Sequence, residues 1–277
     1  MPDTGVSVPL DKATPPWRSG GAGGVQMRID LNADLGEGFG PWPMGDDAAM
    51  LAIVTSANVA CGGHAGDTEV MYATVMQAKS RGVIIGAHPG YADLAGFGRR
   101  IIPMSLGEIE RMVAGQIGAL IGVAALAGSR VGYVKAHGAL ANLAADEPEV
   151  AEALARAVRA VGGLAFLAIS GTCQEQAALA AGLETYCEVF ADRGYRANGR
   201  LVPRGQAGAM IADPQVAAER LLGFVDSGMM PVVGGGAVRL RGQSICVHGD
   251  SPGAVVLARH VAAALRARGV GIQAFLA

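Results

Sequence analysis

The chain has 277 residues, of which 51% are hydrophobic, 17% charged and 5% aromatic, and its formal net charge at pH 7 is −2. This composition excludes an intrinsically disordered chain, and the near-neutral charge gives no global field that would favour nucleic acid or an anionic membrane. A chain of this length buries enough surface for one large core.

The first 26 residues are predicted to form a tail. Segment 15–24 combines prolines and glycines, has little apolar surface and is not expected to hold a regular element. A single barrel domain is expected over 27–277. The N-terminal segment also lacks the continuous apolar stretch of a secretory signal, and the four cysteines include no C-x-x-C pair. We therefore expect a cytoplasmic protein without a disulfide framework.

From residue 28 onward, short β-branched segments alternate with amphipathic segments rich in Ala and Leu. Strands are predicted at 28–32, 55–60, 83–87, 131–135, 164–169, 185–191 and 244–247. Helices are predicted at 46–54, 69–81, 105–127, 147–161, 172–181, 214–227 and 252–268. Ser105 and Glu108 fit a capping box, and Asp213 and Ser251 each precede a proline as helix N-caps. Segment 237–240 is expected to pair with the last strand through a turn at 241–243.

Seven alternating units predict parallel strands with helices outside, and this number favours a seven-stranded (β/α) barrel. A doubly wound sheet is the alternative. Residues 112–129 carry no charge and approach the length of a membrane span. We interpret them as a buried helix because the rest of the chain is patterned as α/β.

Four of the five histidines lie at or just beyond the carboxyl ends of predicted strands: His64, His88, His137 and His248. Parallel α/β folds place their active sites at this end, so the four side chains are predicted to converge there. The alternative is four unrelated histidines, each satisfied by a local hydrogen bond. His260 lies inside the last predicted helix and is given no function.

Acidic residues accompany these histidines. Strand alternation places Asp30, Asn32 and Asp34 on one face of the first strand, where they would face the barrel axis. Glycines around His64 allow His64 and Asp67 to return over the barrel mouth. Together with His88 at the end of the third strand, these residues are the predicted catalytic group, suited to general acid–base chemistry. A satisfied polar network in the core is the alternative.

A second group of residues is predicted to bind the substrate or a phosphate. Lys135 and His137 share one side of the fourth strand, and Lys135 is one of only three lysines, which favours an anion clamp. A lysine that reaches the barrel rim is the alternative. Asp192, Arg193 and His248 follow the sixth and seventh strands and complete this group. If a divalent metal is bound, the candidate ligands are Asp34, His64 and His88.

Taken together, the segments at the strand ends resemble the LamB/YcsF lactam-utilisation family. The matching segments are 30–37, 57–67, 86–93, 96–100, 135–142, 188–195 and 246–250, in the order of the family. Four positions depart from the common pattern, namely Ala33, Gly63, Ala136 and Ala141, which stand where Cys, Phe, Pro and Tyr are frequent. None of these departures removes an ionisable residue.

The resemblance implies a barrel similar to the glycoside hydrolase/deacetylase fold. It further implies ATP-dependent opening of 5-oxo-L-proline to L-glutamate, with ATP and Mg²⁺ as co-substrate and two partner subunits, B and C. Two other functions are kept open. One is a metal-dependent amidase or deacetylase that acts alone, and the other is a non-catalytic subunit that binds the lactam.

Overall fold

A computed structural model describes residues 18–19, 26–250 and 253–276. The strands are β1 (Arg18–Ser19), β2 (Gln26–Leu35), β3 (Ser56–Ala60), β4 (Ile84–His88), β5 (Val131–Val134), β6 (Ala165–Ile169), β7 (Thr185–Phe190), β8 (Met229–Pro231), β9 (Ala237–Arg239), β10 (Ser244–Val247) and β11 (Gly271–Ile272). The helices are α1 (Asp47–Met50), α2 (Thr68–Ser80), α3 (Leu106–Leu126), α4 (Gly138–Asp146), α5 (Pro148–Val161), α6 (Cys173–Ala180), α7 (Pro214–Ser227) and α8 (Ala254–Ala267), with a 3₁₀ turn at Leu94–Gly96.

Seven parallel strands close into a barrel in the order β2, β3, β4, β5, β6, β7 and β10. Closure is made at β2, where Asn32 lies opposite Ser56 of β3 on one side and Cys246 of β10 on the other. The predicted seven-stranded (β/α) barrel is therefore confirmed, and the doubly wound alternative is wrong.

Side chains along β2 alternate between the apolar core outside the barrel and the barrel axis. Ile29, Leu31 and Ala33 point outward into the large apolar core between the strands and the helices. Asp30, Asn32 and Asp34 point inward and are also buried, so the barrel axis is polar near β2. A second, small core lies near the start of β5 and β6, where Phe275 and Leu276 pack on the side chains of Tyr133, Ala165 and Leu167.

Several predicted elements differ from the structure. The segment after residue 236 pairs antiparallel with β8 and not with the last barrel strand, so the predicted hairpin is wrong. The first predicted helix is reduced to the single turn α1, and α4 was not predicted. Arg18 and Ser19 pair with Met27 and Gln26, so the expectation of no regular element in 15–24 is wrong there. The rest of the tail, Ser251 and Pro252 lie outside the described residues.

By length and composition alone, α3 could cross a membrane, and among the described residues it is the one helix that meets this test. In the structure α3 begins at the predicted capping box of Ser105 and Glu108 and packs one face on the barrel. The buried side chains recur with helical spacing at Ile109, Val113, Ile117, Leu120 and Ala124. About a third of the apolar stretch is buried, so α3 is an outer helix of the barrel with one buried face rather than a fully buried helix.

Candidate active site

A cavity of about 530 Å³ opens at the carboxyl ends of the barrel strands. These ends converge on one face of the barrel, so strands far apart in sequence bring their last residues together. The ionisable cavity residues that lie on a barrel strand or just beyond its end are Asp34, His88, Lys135, His137, Glu188, Arg193 and His248.

Asp34 is the carboxylate held most firmly in the cavity wall. Its Oδ1 accepts hydrogen bonds from Lys135 Nζ and Asn58 Nδ2, both at 2.8 Å, while its Oδ2 lies 3.4 Å from His88 Nε2. Burial alone would raise the pKa of Asp34, but the charges of His88 and Lys135 hold it well below its usual value. Asp34 is therefore a charged acceptor with one oxygen uncommitted.

Lys135, predicted to be an anion clamp, is surrounded by acceptors of the protein itself. Its buried Nζ lies 2.8 Å from Asp34, 3.1 Å from Glu188 and 3.2 Å from the amide oxygen of Asn32, and it also contacts the thiol of Cys246. An ammonium group has three hydrogens, and these acceptors inside the protein use all of them. Lys135 balances two buried carboxylates, and the charges of these groups raise its pKa in spite of burial.

Glu188 was not singled out from the sequence, yet its carboxyl group lines the cavity. Burial raises its pKa to about 7, although the charge of Lys135 opposes this shift. A carboxyl group with this pKa exchanges a proton near neutral pH, as a general acid must. The alternation applied to Asp30, Asn32 and Asp34 would have found Glu188, because a charged residue inside a predicted strand of a barrel needs an inward partner.

His248 and Asp192 form a pair at the cavity wall. The Nδ1 atom of His248 lies 2.9 and 2.8 Å from the two carboxylate oxygens of Asp192. Burial would raise the pKa of Asp192, and the charge of His248 lowers it below its usual value. Since a carboxylate only accepts, Nδ1 carries a hydrogen in either charge state of the ring, and when the ring is neutral Nε2 is free to accept a proton. His248 Nε2 lies 4.0 Å from Asp34 Oδ2.

The predicted convergence of the histidines is confirmed. The rings of His64 and His137 stack with centroids 3.5 Å apart, and the His88 ring lies edge-on to His137 at 4.9 Å. Glu37, another residue not singled out from the sequence, lies 3.1 Å from His64 Nε2. Burial raises the pKa of Glu37, and burial together with the charge of His88 lowers that of His64. His64 lies behind the cavity wall rather than in it.

Asp30 and Asn32, predicted to belong to the catalytic group, lie in a buried polar network. The carboxylate of Asp30 accepts hydrogen bonds from the hydroxyl groups of Thr55, Ser56 and Ser244. Burial raises the pKa of Asp30 to about 6. Asn32 donates to Ser244 at 2.7 Å, and neither Asp30 nor Asn32 lines the cavity. The alternative of a satisfied core network is the one that the structure supports here.

Asp67, also predicted to be catalytic, lies at the start of α2 and does not line the cavity. Its side chain caps α2, accepting hydrogen bonds from the backbone N–H groups of Glu69 and Val70 at 2.9 Å. It accepts a further bond from the backbone N–H of Gly40. An Asp at the N-cap satisfies donors that the first helical turn leaves free, so this carboxylate is committed to the helix.

Arginines line the outer part of the cavity, a feature that sequence analysis found only at Arg193. The buried guanidinium of Arg193 donates to the backbone carbonyls of Val202 and Ala209. Burial and the charge of Arg204 lower its pKa to about 10. The other arginines of this outer group are Arg99, Arg196, Arg200 and Arg204. The cavity mouth is therefore basic on a chain whose net charge is −2.

The LamB/YcsF family model matches residues 29–277 of this chain. A Rhodopseudomonas palustris protein, named as the A subunit of 5-oxoprolinase, is 51% identical over 251 residues, covering 90% of this chain and 99% of that protein. A protein of the same name from Mycolicibacterium paratuberculosis is 53% identical over 248 residues, covering 89% of this chain and 98% of its own length.

The fold agrees with solved structures. The crystal structure of the lactam utilization protein from Thermus thermophilus superposes with a TM-score of 0.85 at 42% identity, covering 90% of this chain and 100% of that one. A putative cellobiose-phosphate cleavage protein from Enterococcus faecalis V583 shares only the fold, with a TM-score of 0.53 at 13% identity, covering 89% of this chain and 97% of that one. On the family match and these identities, the chain belongs to the LamB/YcsF family.

Proposed function

We propose that this chain is one subunit of a 5-oxoprolinase that opens 5-oxo-L-proline to L-glutamate while ATP is hydrolysed to ADP and phosphate. The observation that carries the proposal is its identity of about half, over 90% of its length, to proteins named as the A subunit of 5-oxoprolinase. The term subunit in that name supports an assembly, and we propose two partners, B and C. ATP with Mg²⁺ is the proposed co-substrate.

The cavity suits a small anionic lactam. Its volume of about 530 Å³ exceeds that of a five-membered ring with one carboxylate, which leaves room for a phosphoryl group and water. The basic mouth formed by Arg99, Arg196, Arg200 and Arg204 attracts such anions, and Arg193 lies deeper in the wall. Lys135 is committed to Asp34 and Glu188, and Arg99 and Arg200 are paired with Asp250 and Asp146. Arg193, Arg196 and Arg204 are therefore the cations proposed to hold the substrate.

The chemistry explains why ATP is needed. A five-membered lactam is an unstrained amide that water attacks slowly, and phosphorylation of the amide oxygen converts it into an activated imidate. A water molecule must then lose a proton as it adds to the ring carbon, and the ring nitrogen must gain one as the carbon–nitrogen bond breaks. A second water releases the phosphate. The site must therefore offer one base and one acid near neutral pH.

His248 and Glu188 are the groups proposed for these two steps. His248 Nε2 is free to take the proton of the attacking water, and Asp192 holds the ring in the required tautomer and balances the charge that develops. Glu188, with a pKa of about 7, is suited to protonate the departing nitrogen. Asp34 remains a charged acceptor between His88 and His248.

A reconstitution assay tests the proposal. Glutamate and ADP formed from 5-oxoproline are measured with this chain alone, with subunits B and C alone, and with all three, and only the complete set is expected to form both products. His248→Ala should lower turnover at least about a hundredfold, the scale of a lost acid–base group. His260→Ala is the matched control, because His260 is exposed on α8. Hydrolysis by this chain without ATP would instead favour an amidase that acts alone, and full turnover of the His248 variant would favour a binding subunit.

A further inference from the structure

Two imidazole nitrogens of the histidine cluster face each other without a donor. His88 Nδ1 lies 2.8 Å from the backbone carbonyl of Lys135, and His137 Nε2 lies 2.9 Å from the carbonyl of Phe97. A carbonyl only accepts, so each of these nitrogens carries a hydrogen in the charged as in the neutral ring, and it is the neutral ring that can bind a metal ion. The remaining nitrogens, His88 Nε2 and His137 Nδ1, then have free lone pairs, and they lie 3.0 Å apart. Two acceptors at this distance repel each other unless a cation lies between them.

A carboxylate oxygen stands at each end of this histidine pair. Glu37 Oε1 lies 3.5 Å from His137 Nδ1, and Asp34 Oδ2 lies 3.4 Å from His88 Nε2. Asp34 is held by Lys135 and Asn58 through its other oxygen, so Oδ2 is free to bind. All four residues are buried. A single proton would satisfy one pair of atoms, whereas here four possible ligand atoms follow one another in a row.

Neighbouring atoms in this row lie at the spacing of metal ligands: Glu37, His88 and His137 offer atoms that all lie within 4.8 Å of one another, and Asp34 joins the row through His88. A tetrahedral ion with bonds of 2.0–2.2 Å to nitrogen and oxygen holds its ligand atoms about 3.3–3.5 Å apart. The successive distances along Glu37, His137, His88 and Asp34 are 3.5, 3.0 and 3.4 Å. The carbonyl bonds to the outer nitrogens are the contacts that orient histidine ligands around a metal.

His64 belongs to the same cluster but is not placed as a ligand. Donor atoms of Glu37, His64, His88 and His137 all lie within 4.8 Å of one another. The rings of His64 and His137, however, stack with an interplanar angle of 1°, so their in-plane lone pairs run parallel and do not meet at one ion. His64 instead contacts Glu37 Oε1 through Nε2 and holds that carboxylate in position. Of the ligands predicted from the sequence, this arrangement favours Asp34 and His88 over His64.

We propose that His88, His137, Glu37 and Asp34 bind one divalent transition-metal ion. Two imidazoles in the set favour Zn²⁺, Mn²⁺ or Co²⁺ over Mg²⁺ and Ca²⁺, which prefer oxygen ligands alone. The ion would lie beside the cavity, because Asp34, His88 and His137 all line it. This site is proposed independently of the 5-oxoprolinase reaction, and its test uses neither ATP nor partner subunits.

The experiment measures metal binding by the full chain alone. Protein stripped with a chelator is titrated with Zn²⁺ in a calorimeter, and metal content is counted after dialysis. One ion per chain is expected, and Co²⁺ should give the strong visible absorption of a tetrahedral site. Glu37→Gln and His137→Ala should each weaken Zn²⁺ binding at least about tenfold, and His260→Ala should leave it unchanged. Thermal melts of the metal-free proteins check that the variants fold, and Glu37→Gln keeps the shape of the side chain.

Three results would overturn the site. The first is no stoichiometric ion in folded wild-type protein. The second is an ion that is lost on Cys246→Ser or His248→Ala but kept on His137→Ala, which would move it to the neighbouring group of Asp34, Cys246 and His248. The third is complete loss of the ion in His64→Phe, a variant that preserves the ring stack on His137. Because His64 is not a ligand in the proposed set, His64→Phe should still bind one ion per chain, with a lower affinity.

Discussion

At the scale of single residues, three inward-facing carboxyl groups of the barrel differ in charge because they differ in partners. Asp34 lies beside Lys135 and His88, and the charges of Lys135 and of protonated His88 hold its pKa well below the usual value. Glu188 shares Lys135 but is raised by burial to a pKa of about 7, and Asp30, bound only by hydroxyl groups at short range, is raised by burial to about 6. Burial therefore prevails at Glu188, which has the charge of Lys135 alone beside it, and at Asp30, whereas at Asp34 the combined charges of His88 and Lys135 outweigh burial.

Asp30 should make stability depend on pH. Its folded pKa of about 6 lies above the ordinary 3.8, so the folded state binds more protons between these values. The stability that Asp30 contributes is complete below about pH 4 and is lost as pH rises through about 6, by about 3 kcal/mol for a shift of two pKa units. Asp30→Asn removes this dependence. From pH 4 to pH 7, the free energy of unfolding of Asp30→Asn should therefore rise by about 3 kcal/mol relative to that of the wild type, as measured by urea unfolding. If the free energies of unfolding of the two proteins changed in parallel with pH, the prediction would be contradicted.

Lys135→Met should act on stability rather than on substrate binding. Loss of the ammonium leaves the carboxylates of Asp34 and Glu188 buried without their shared cation. Breaking a buried ion pair in this way costs about 3–5 kcal/mol in the free energy of unfolding, measured by denaturant titration. Lys79→Met is the control, because Lys79 is exposed on α2 and only donates to the carbonyl of Ala127. If Lys135→Met kept wild-type stability and raised the KM, the result would instead support the predicted role of Lys135 as an anion clamp.

At the scale of elements, local signals predicted the starts of helices well and the pairing of short strands poorly. The capping box at Ser105 and the N-cap at Asp213 are both present, because caps depend on residues three or four positions apart. The partner of β9 depends instead on where α7 ends, and it is β8 rather than the last barrel strand. Helix α4 escaped prediction because its first residue, Gly138, follows the strand without a capping side chain.

Asp67→Ala tests the assignment of this residue to α2. Removal of an N-cap that accepts two backbone N–H groups should lower the free energy of unfolding by about 1–2 kcal/mol. Turnover of the folded variant in the reconstituted enzyme should stay within about twofold of wild type, and Asp67→Asn should keep most of the stability because Asn also caps. A hundredfold loss of turnover in folded Asp67→Ala protein would instead support the predicted catalytic role of Asp67.

At the scale of the whole molecule, the sequence predicted the barrel and the convergence of the histidines because strand ends alone determine both. It did not predict which polar residues face the cavity. Asp30 and Asp34 lie on the same face of β2 but at different depths, and only Asp34 reaches the open end. The arginines of the cavity mouth lie on separate loops, including residues 193–204. The positions of these loops depend on tertiary packing, so the sequence carries no periodic pattern that would predict them.

The arginine mouth should concentrate anions at the cavity while the molecule as a whole is slightly acidic. Arg204 lies at this mouth, and its guanidinium contacts only the sulfur of Met210 among the hydrogen bonds of the described residues. Arg204→Gln should therefore raise the KM for 5-oxoproline or for ATP about five- to tenfold in the reconstituted enzyme, as expected for a half-exposed charged contact of about 1 kcal/mol, and leave kcat nearly unchanged. Arg259→Gln on the exposed face of α8 is the matched control and keeps the same net charge. Added salt should raise the KM of the wild type toward that of the variant, because screening weakens attraction at the exposed mouth. Equal KM values for wild type and Arg204→Gln at low salt would show that Arg204 does not attract the substrate.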